Sequence, residues 1–141
     1  MHRPVGVNVL GVLMIAAGVG FAAAGFLFFF MGITGASATA PTHGVMAAML
    51  AALGAAAGVI FLLFGALHVV LAFGIFRLRN VARVFTIFLF LLIGAGACLG
   101  AIATLLSYSH VALAWNISLL AVDALALWYL WRPETKAAFG A

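Results

Sequence analysis

The chain has 141 residues, of which 69% are apolar and 6% charged, with mean hydropathy +1.39 and net charge +4. Soluble domains average about 45–50% apolar and about 25% charged residues, so a soluble enzyme, a disordered tail and a disulfide-stapled secreted domain are excluded together. What remains is a protein whose solvent is lipid.

A spanning helix needs about 20 predominantly apolar residues, because it rises 1.5 Å per residue through about 30 Å of hydrocarbon. Four runs meet that requirement: 5–33, 45–76, 84–106 and 111–131. The first follows His2-Arg3 and carries Ala22-Ala23-Ala24, which imitates a signal peptide. Its apolar run continues through Phe26–Phe30, longer than a signal core requires, so it is expected to be a span. A loop with Pro41 follows over Thr34–Gly44. The second run, if helical throughout, would reach about 48 Å, so its opening lies in the outer interface or the helix tilts, with Gly54 and Gly58 as places for a bend. Arg77–Arg83 forms a tight turn into the third run, and Ser107–His110 a tight turn into the fourth. Pro133 ends or interrupts the last helix and opens a short tail. Short connections make sequence neighbours antiparallel. The expected fold is therefore all-α: a polytopic membrane protein, one domain over residues 1–141, an antiparallel bundle of four transmembrane helices.

The few charges orient this bundle. Arg3 precedes the first span, Arg77, Arg79 and Arg83 lie between the second and third, and Arg132 and Lys136 follow the fourth. Neither of the other two loops contains Lys or Arg, so the positive-inside rule puts both termini in the cytoplasm. Trp128, Tyr129 and Trp131 cluster at the inner end of the fourth span, while Trp115, Tyr108 and Phe28–Phe30 stand near the outer boundary, as interfacial aromatics do. Six basic residues dispersed over three short segments do not make a nucleic-acid face. Cys98 is the single cysteine, so no intrachain disulfide is possible.

Small residues recur at four-residue spacing: Ala16, Gly20 and Ala24 in the first span, Gly54 and Gly58 in the second, Gly96 and Gly100 in the third. Helices in lipid associate through close backbone approach and dispersion, so these positions are expected to pack helices, within the bundle or against a second chain. Asp123 lies inside the fourth span, where a carboxylate costs about 2.5–3.5 kcal/mol on insertion scales; it must face protein or water, or hold a proton. Asn116 is seven residues earlier, on nearly the same helical face. His68 is the one histidine inside a span, nine residues before Arg77, as Asp123 is nine residues before Arg132. Equal depth and the need for partners suggest a His68–Asp123 hydrogen bond or ion pair: a polar clasp fixing helix register, or a proton relay or ligand site. His68 as a haem or chlorin ligand is a weaker alternative, since a second spanning histidine is absent. His43 and His110, both in outer loops, are two histidines without a third ligand and give no metal site. Arg77, Arg79 and Arg83 suit lipid headgroups, each worth about 1 kcal/mol at an anionic surface.

Arg3-Pro4-Val5-Gly6-Val7 at the start, Arg77-Leu78-Arg79-Asn80-Val81-Ala82-Arg83 in the inner turn and Leu130-Trp131-Arg132-Pro133-Glu134-Thr135-Lys136-Ala137-Ala138-Phe139 at the close together resemble the small four-span membrane proteins common in bacteria and archaea. Members often carry Trp where this chain has Val81. The resemblance implies an integral four-helix fold in a prokaryotic inner or cytoplasmic membrane; it implies no activity and transfers no functional residue.

With no nucleophile–base set, phosphate loop or metal-spaced cluster in the chain, catalysis is not expected, nor is a cofactor. The leading expectation is a structural or accessory membrane subunit whose partners are the bilayer and either further copies of itself or other membrane subunits. A small oligomeric transporter or channel using His68 and Asp123 is the alternative. A cofactor-holding subunit of an electron-transfer or photosynthetic assembly is the weaker one.

Overall fold

A computed structural model describes residues 4–39, 44–106 and 110–140. They form α1 (Val5–Thr39), α2 (Gly44–Phe76), α3 (Asn80–Leu106), α4 (His110–Trp131) and the short α5 (Pro133–Ala138), with no strand among the described residues. Four stretches, Val5–Thr34, Ala48–Phe76, Asn80–Leu106 and His110–Trp131, are long and apolar enough to cross a membrane. The protein is thus an all-α, polytopic integral membrane protein. The physical reason is that hydrocarbon offers no partner for a backbone N–H or C=O, so each segment must satisfy its own. The 22 residues of α4 rise about 33 Å, close to the thickness of the hydrocarbon core. The 30 and 29 apolar residues of α1 and α2 rise about 45 Å, more than the core needs, which tilt or extension beyond it accommodates.

Element boundaries shift from those expected. The loop expected from Thr34 begins later, because Thr34 Oγ1 donates to the Phe30 carbonyl at 2.8 Å and stays within the helix. Residues 40–43 and 107–109, with Pro41, His43 and Tyr108, lie outside the described residues. α2 runs as one helix through Gly54 and Gly58. α3 starts at Asn80, four residues before the expected Val84, so the inner turn shrinks to Arg77–Arg79. That turn is a Schellman cap: the Leu78 N–H donates to the Ile75 carbonyl at 2.9 Å and the Arg79 N–H to the Gly74 carbonyl at 3.1 Å. The left-handed position such a cap requires, usually glycine, is held by Leu78 at φ 54°. At the far end, Pro133 separates α4 from α5 through an extended Arg132 (φ −60°, ψ 140°), as its ring and missing N–H dictate.

The chain forms two compact units, Val12–Ala72 and the combination of Met1–Gly11 with Phe73–Ala141. In the first, α1 and α2 pack along small residues seven apart: Gly18, Gly25 and Gly32 against Ala51, Gly58 and Gly65, all buried. A Cβ on Gly25 would meet the Gly58 carbonyl oxygen at 2.8 Å, and one on Gly65 the Gly18 carbonyl oxygen at 2.7 Å. Gly32 lies against the backbone of Ala51 and Ala55. Backbone meets backbone, which only hydrogen at the α-carbon allows. A period of seven keeps such a seam in register when helices wind left-handedly about each other. Beside it stand the rings of Phe21, Phe61 and Phe28, with centroids 5.8 Å apart for Phe21–Phe61 and 5.6 Å for Phe28–Phe61.

In the second unit α3 packs on α4. Ala82, Arg83, Thr86, Leu89, Phe90 and Ala97 form the buried face of α3, a helical stripe. The Tyr129 ring lies on Gly6, and Ala82 lies on Gly74. Leu130, Thr135 and Phe139 are buried around the α4–α5 junction.

Candidate functional site

The side chains able to do more than pack are few, and each unit holds some of them. In the α1–α2 unit, His68 is 2% exposed, one turn from the seam, where a Cβ on Gly18 would meet the His68 Cβ at 3.2 Å. Its Nδ1 lies 2.8 Å from the Phe64 carbonyl. A carbonyl only accepts, so Nδ1 carries the proton and donates, leaving Nε2 as the nitrogen open to a further partner. The Phe21 ring flanks the imidazole, with centroids 5.1 Å apart and planes tilted by 38°.

In the other unit Asp123 is 6% exposed, and its Oδ2 has no hydrogen-bond partner. A Cβ on Gly94 of α3 would stand 3.6 Å from that oxygen. Two turns away, Asn116 donates from Nδ2 to the Ala112 carbonyl at 2.9 Å, and its Oδ1 lies 2.7 Å from where a Cβ on Gly100 would be. The two polar side chains expected on one face of α4 therefore both face glycines of α3. The expected pairing of His68 with Asp123 joins residues of different units, and in its own unit neither is paired with an acid or a base.

The glycine expectations divide. Gly58 and Gly100 make close approaches, Gly58 to the backbone of Phe29 and Gly25 and Gly100 to Asn116. A Cβ on Gly54 would find nothing nearer than 3.5 Å, and on Gly20 or Gly96 nothing within 4 Å. Among the described residues, Gly20 and Gly96 thus make no close approach of the kind seen at Gly58. Four-residue spacing selects them, whereas the contacts of the α1–α2 seam recur every seven. Gly18, Gly25, Gly32 and Gly65 were missed for that reason, although their heptad spacing is plain in the sequence.

The three turn arginines also separate. Arg77 and Arg79 are exposed, as headgroup ligands would be. Arg83 is 8% exposed, and its Nε and Nη1 are buried without a hydrogen-bond partner, because the early start of α3 brings it onto that helix's buried face. At the end of α4, the Arg132 guanidinium lies 4.7 Å from the centre of the Trp128 ring and 3.5 Å from Glu134 Oε2. These are exposed contacts, of the kind worth about 1 kcal/mol or less each. Cys98 is exposed on α3. Among the described residues no three His, Cys, Asp or Glu side chains come together.

Known protein families, curated proteins and solved structures were compared with the chain, and none matches. The likeness to small four-span prokaryotic proteins rests on the short motifs of the sequence.

Proposed function

We propose that the protein is a non-catalytic structural or accessory subunit of a prokaryotic cytoplasmic membrane, with both termini in the cytoplasm, which packs on further copies of itself or in a larger membrane complex. The observation that supports this most is α4. Of its 22 residues, Trp115, Ile117, Val122, Leu125, Trp128 and Trp131 are exposed, whereas Asp123 and Leu130 are buried. The outer surface of α4 is left to lipid or to a neighbouring subunit, while Asp123 and Asn116 turn to α3. Loops this short build no extramembrane domain, and the polar inventory is too thin for bond-making chemistry.

Mild-detergent isolation from native membranes tests the reading. Disulfide cross-linking of single cysteines placed at Val122 or Leu125, in a Cys98→Ser background, would accompany it. A stoichiometric membrane partner or a cross-linked second copy is expected. A monodisperse monomer that neither cross-links nor brings a partner refutes it.

The unpartnered Asp123 carboxylate favours a second reading, a small oligomeric transporter or channel in which His68 and Asp123 serve the conducted species. Ionisable groups inside spans often mark such paths. In proteoliposomes Asp123→Asn then abolishes flux, and unchanged flux removes Asp123 from the path.

A further inference from the structure

We propose that the inner turn and the first turn of α3 hold the phosphate of one anionic phospholipid, with Arg83 as its principal ligand. This rests on the reading of the chain as an integral membrane protein with its arginine turn at the headgroup level, and it adds a discrete site to that reading. Arg83 is more than nine-tenths buried and its Nε and Nη1 lack acceptors. A guanidinium held so is stable only when something outside the described chain supplies negative oxygen.

The described residues do not supply it. The chain contains two acidic side chains. Glu134 is exposed and engaged by Arg132. Asp123 stands beside Gly94, eleven residues along α3 from Arg83 and hence about 16 Å away. No acidic residue occupies the first turn of α3. The free N–H groups of a helix start favour an anion at the same place. Arg77 and Arg79, exposed on the preceding turn, add positive potential around it. A phosphodiester is the oxyanion always present at that depth of a membrane, and its paired oxygens suit the planar guanidinium fork.

The test is native mass spectrometry of the full chain, purified and delipidated to constant mass, then offered phosphatidylglycerol or phosphatidylcholine in mixed micelles. The wild type is expected to retain one phosphatidylglycerol in preference to phosphatidylcholine. Arg83→Gln is expected to weaken that retention about 10- to 100-fold, the effect of removing hydrogen bonds to a charged group. Arg79→Gln loses no more than about 5-fold, as for one surface charge. Arg83→Lys keeps the charge and the fold but lacks the fork, and it weakens retention by more than Arg79→Gln does. Equal retention of both lipids, or an Arg83→Lys protein that binds like the wild type, overturns the site. An arm with inorganic phosphate alone separates the sources. A phosphate adduct that Arg83→Lys abolishes keeps the oxyanion site and assigns it to free phosphate. Labelling of Asn80→Cys by an impermeant maleimide in intact cells checks the topology independently, so a misplaced turn and an empty lipid site give different results.

Discussion

Replacing Gly58 with alanine probes the α1–α2 seam at one of its closest backbone approaches. The new Cβ would lie 2.5 Å from the Phe29 amide nitrogen and 2.7 Å from the Gly25 carbonyl oxygen, whereas ordinary contact begins near 3.4 Å. Both obstacles are backbone, so no side chain can swing away and the helices must part by close to 0.9 Å. A radial gap of about 0.5–1 Å forfeits about a quarter to a half of each dispersion contact, and in lipid no hydrophobic gain offsets the loss. The expected destabilisation is about 1–3 kcal/mol, the range seen for overpacked interiors. Gly25→Ala, opposed by the Gly58 carbonyl oxygen at 2.8 Å, belongs to the same class. Gly54→Ala meets nothing nearer than 3.5 Å and Gly20→Ala nothing within 4 Å. Both should be neutral, or gain at most about 1 kcal/mol from helix propensity. Unfolding by sodium dodecyl sulfate in mixed micelles, followed by far-UV circular dichroism, ranks the four proteins. Gly58→Ala and Gly25→Ala are expected to unfold at lower detergent fraction, with Gly54→Ala and Gly20→Ala at or above the wild type. Four coincident curves would sink the heptad seam, and a loss confined to Gly54→Ala and Gly58→Ala would restore the four-residue motif in its place.

Asp123→Asn removes a buried charge whose Oδ2 has no donor and should stabilise the protein by about 1 kcal/mol in the same assay; destabilisation would mean that the carboxylate has a partner. Combining it with His68→Gln in a double-mutant cycle decides whether that partner is His68, since residues in contact couple by about 0.5–3 kcal/mol and independent ones by less than about 0.5. Leu78→Gly relieves a left-handed residue at φ 54° and should gain about 0.5–1 kcal/mol, the steric relief less the added chain entropy; a loss of stability would show that the Leu78 side chain packs. Glu134→Gln breaks an exposed contact of 3.5 Å and should shift the unfolding midpoint by less than the equivalent of about 1 kcal/mol, so a larger shift would reveal a role for α5 beyond that contact.

The four spans were legible because lipid demands some 20 apolar residues from each helix, and 69% apolar composition leaves no other arrangement for the long runs. The expected ends failed where composition misleads. Thr34 reads as loop but hydrogen-bonds back to Phe30. Asn80 to Arg83 read as turn but form the first turn of α3, and that shift of four residues is what carries Arg83 from an expected exposed turn onto the buried face of that helix. The seam is written in the sequence at a spacing of seven, which a four-residue motif does not pick out. Spacing of four captures Gly58 but pairs it with Gly54, which has room to spare, rather than with Gly65, one heptad away. The environment of Asp123 was not legible at all, since no pattern in α4 announces that Gly94 of α3 lies opposite.

Glycine serves two ends in this molecule, and the difference bears on where function resides. Between α1 and α2 it lets backbones touch, so the space is already occupied by main chain and any added atom is excluded. On α3, Gly94 and Gly100 face Asp123 and Asn116, so the space glycine vacates is occupied by polar side chains able to rotate. The first arrangement is stiff, because its contacts are backbone to backbone. The second is adjustable: the obstacle at Gly100 is the amide end of Asn116, at Gly94 a carboxylate oxygen at 3.6 Å, and alanine at either position requires no movement of a helix. A membrane protein that retains an unpartnered carboxylate does so against about 2.5–3.5 kcal/mol of insertion free energy. Asp123 stands opposite a glycine and is turned into α3, on the span least buried among the described residues, so the carboxylate is kept from lipid by a neighbouring helix and not by a partner charge.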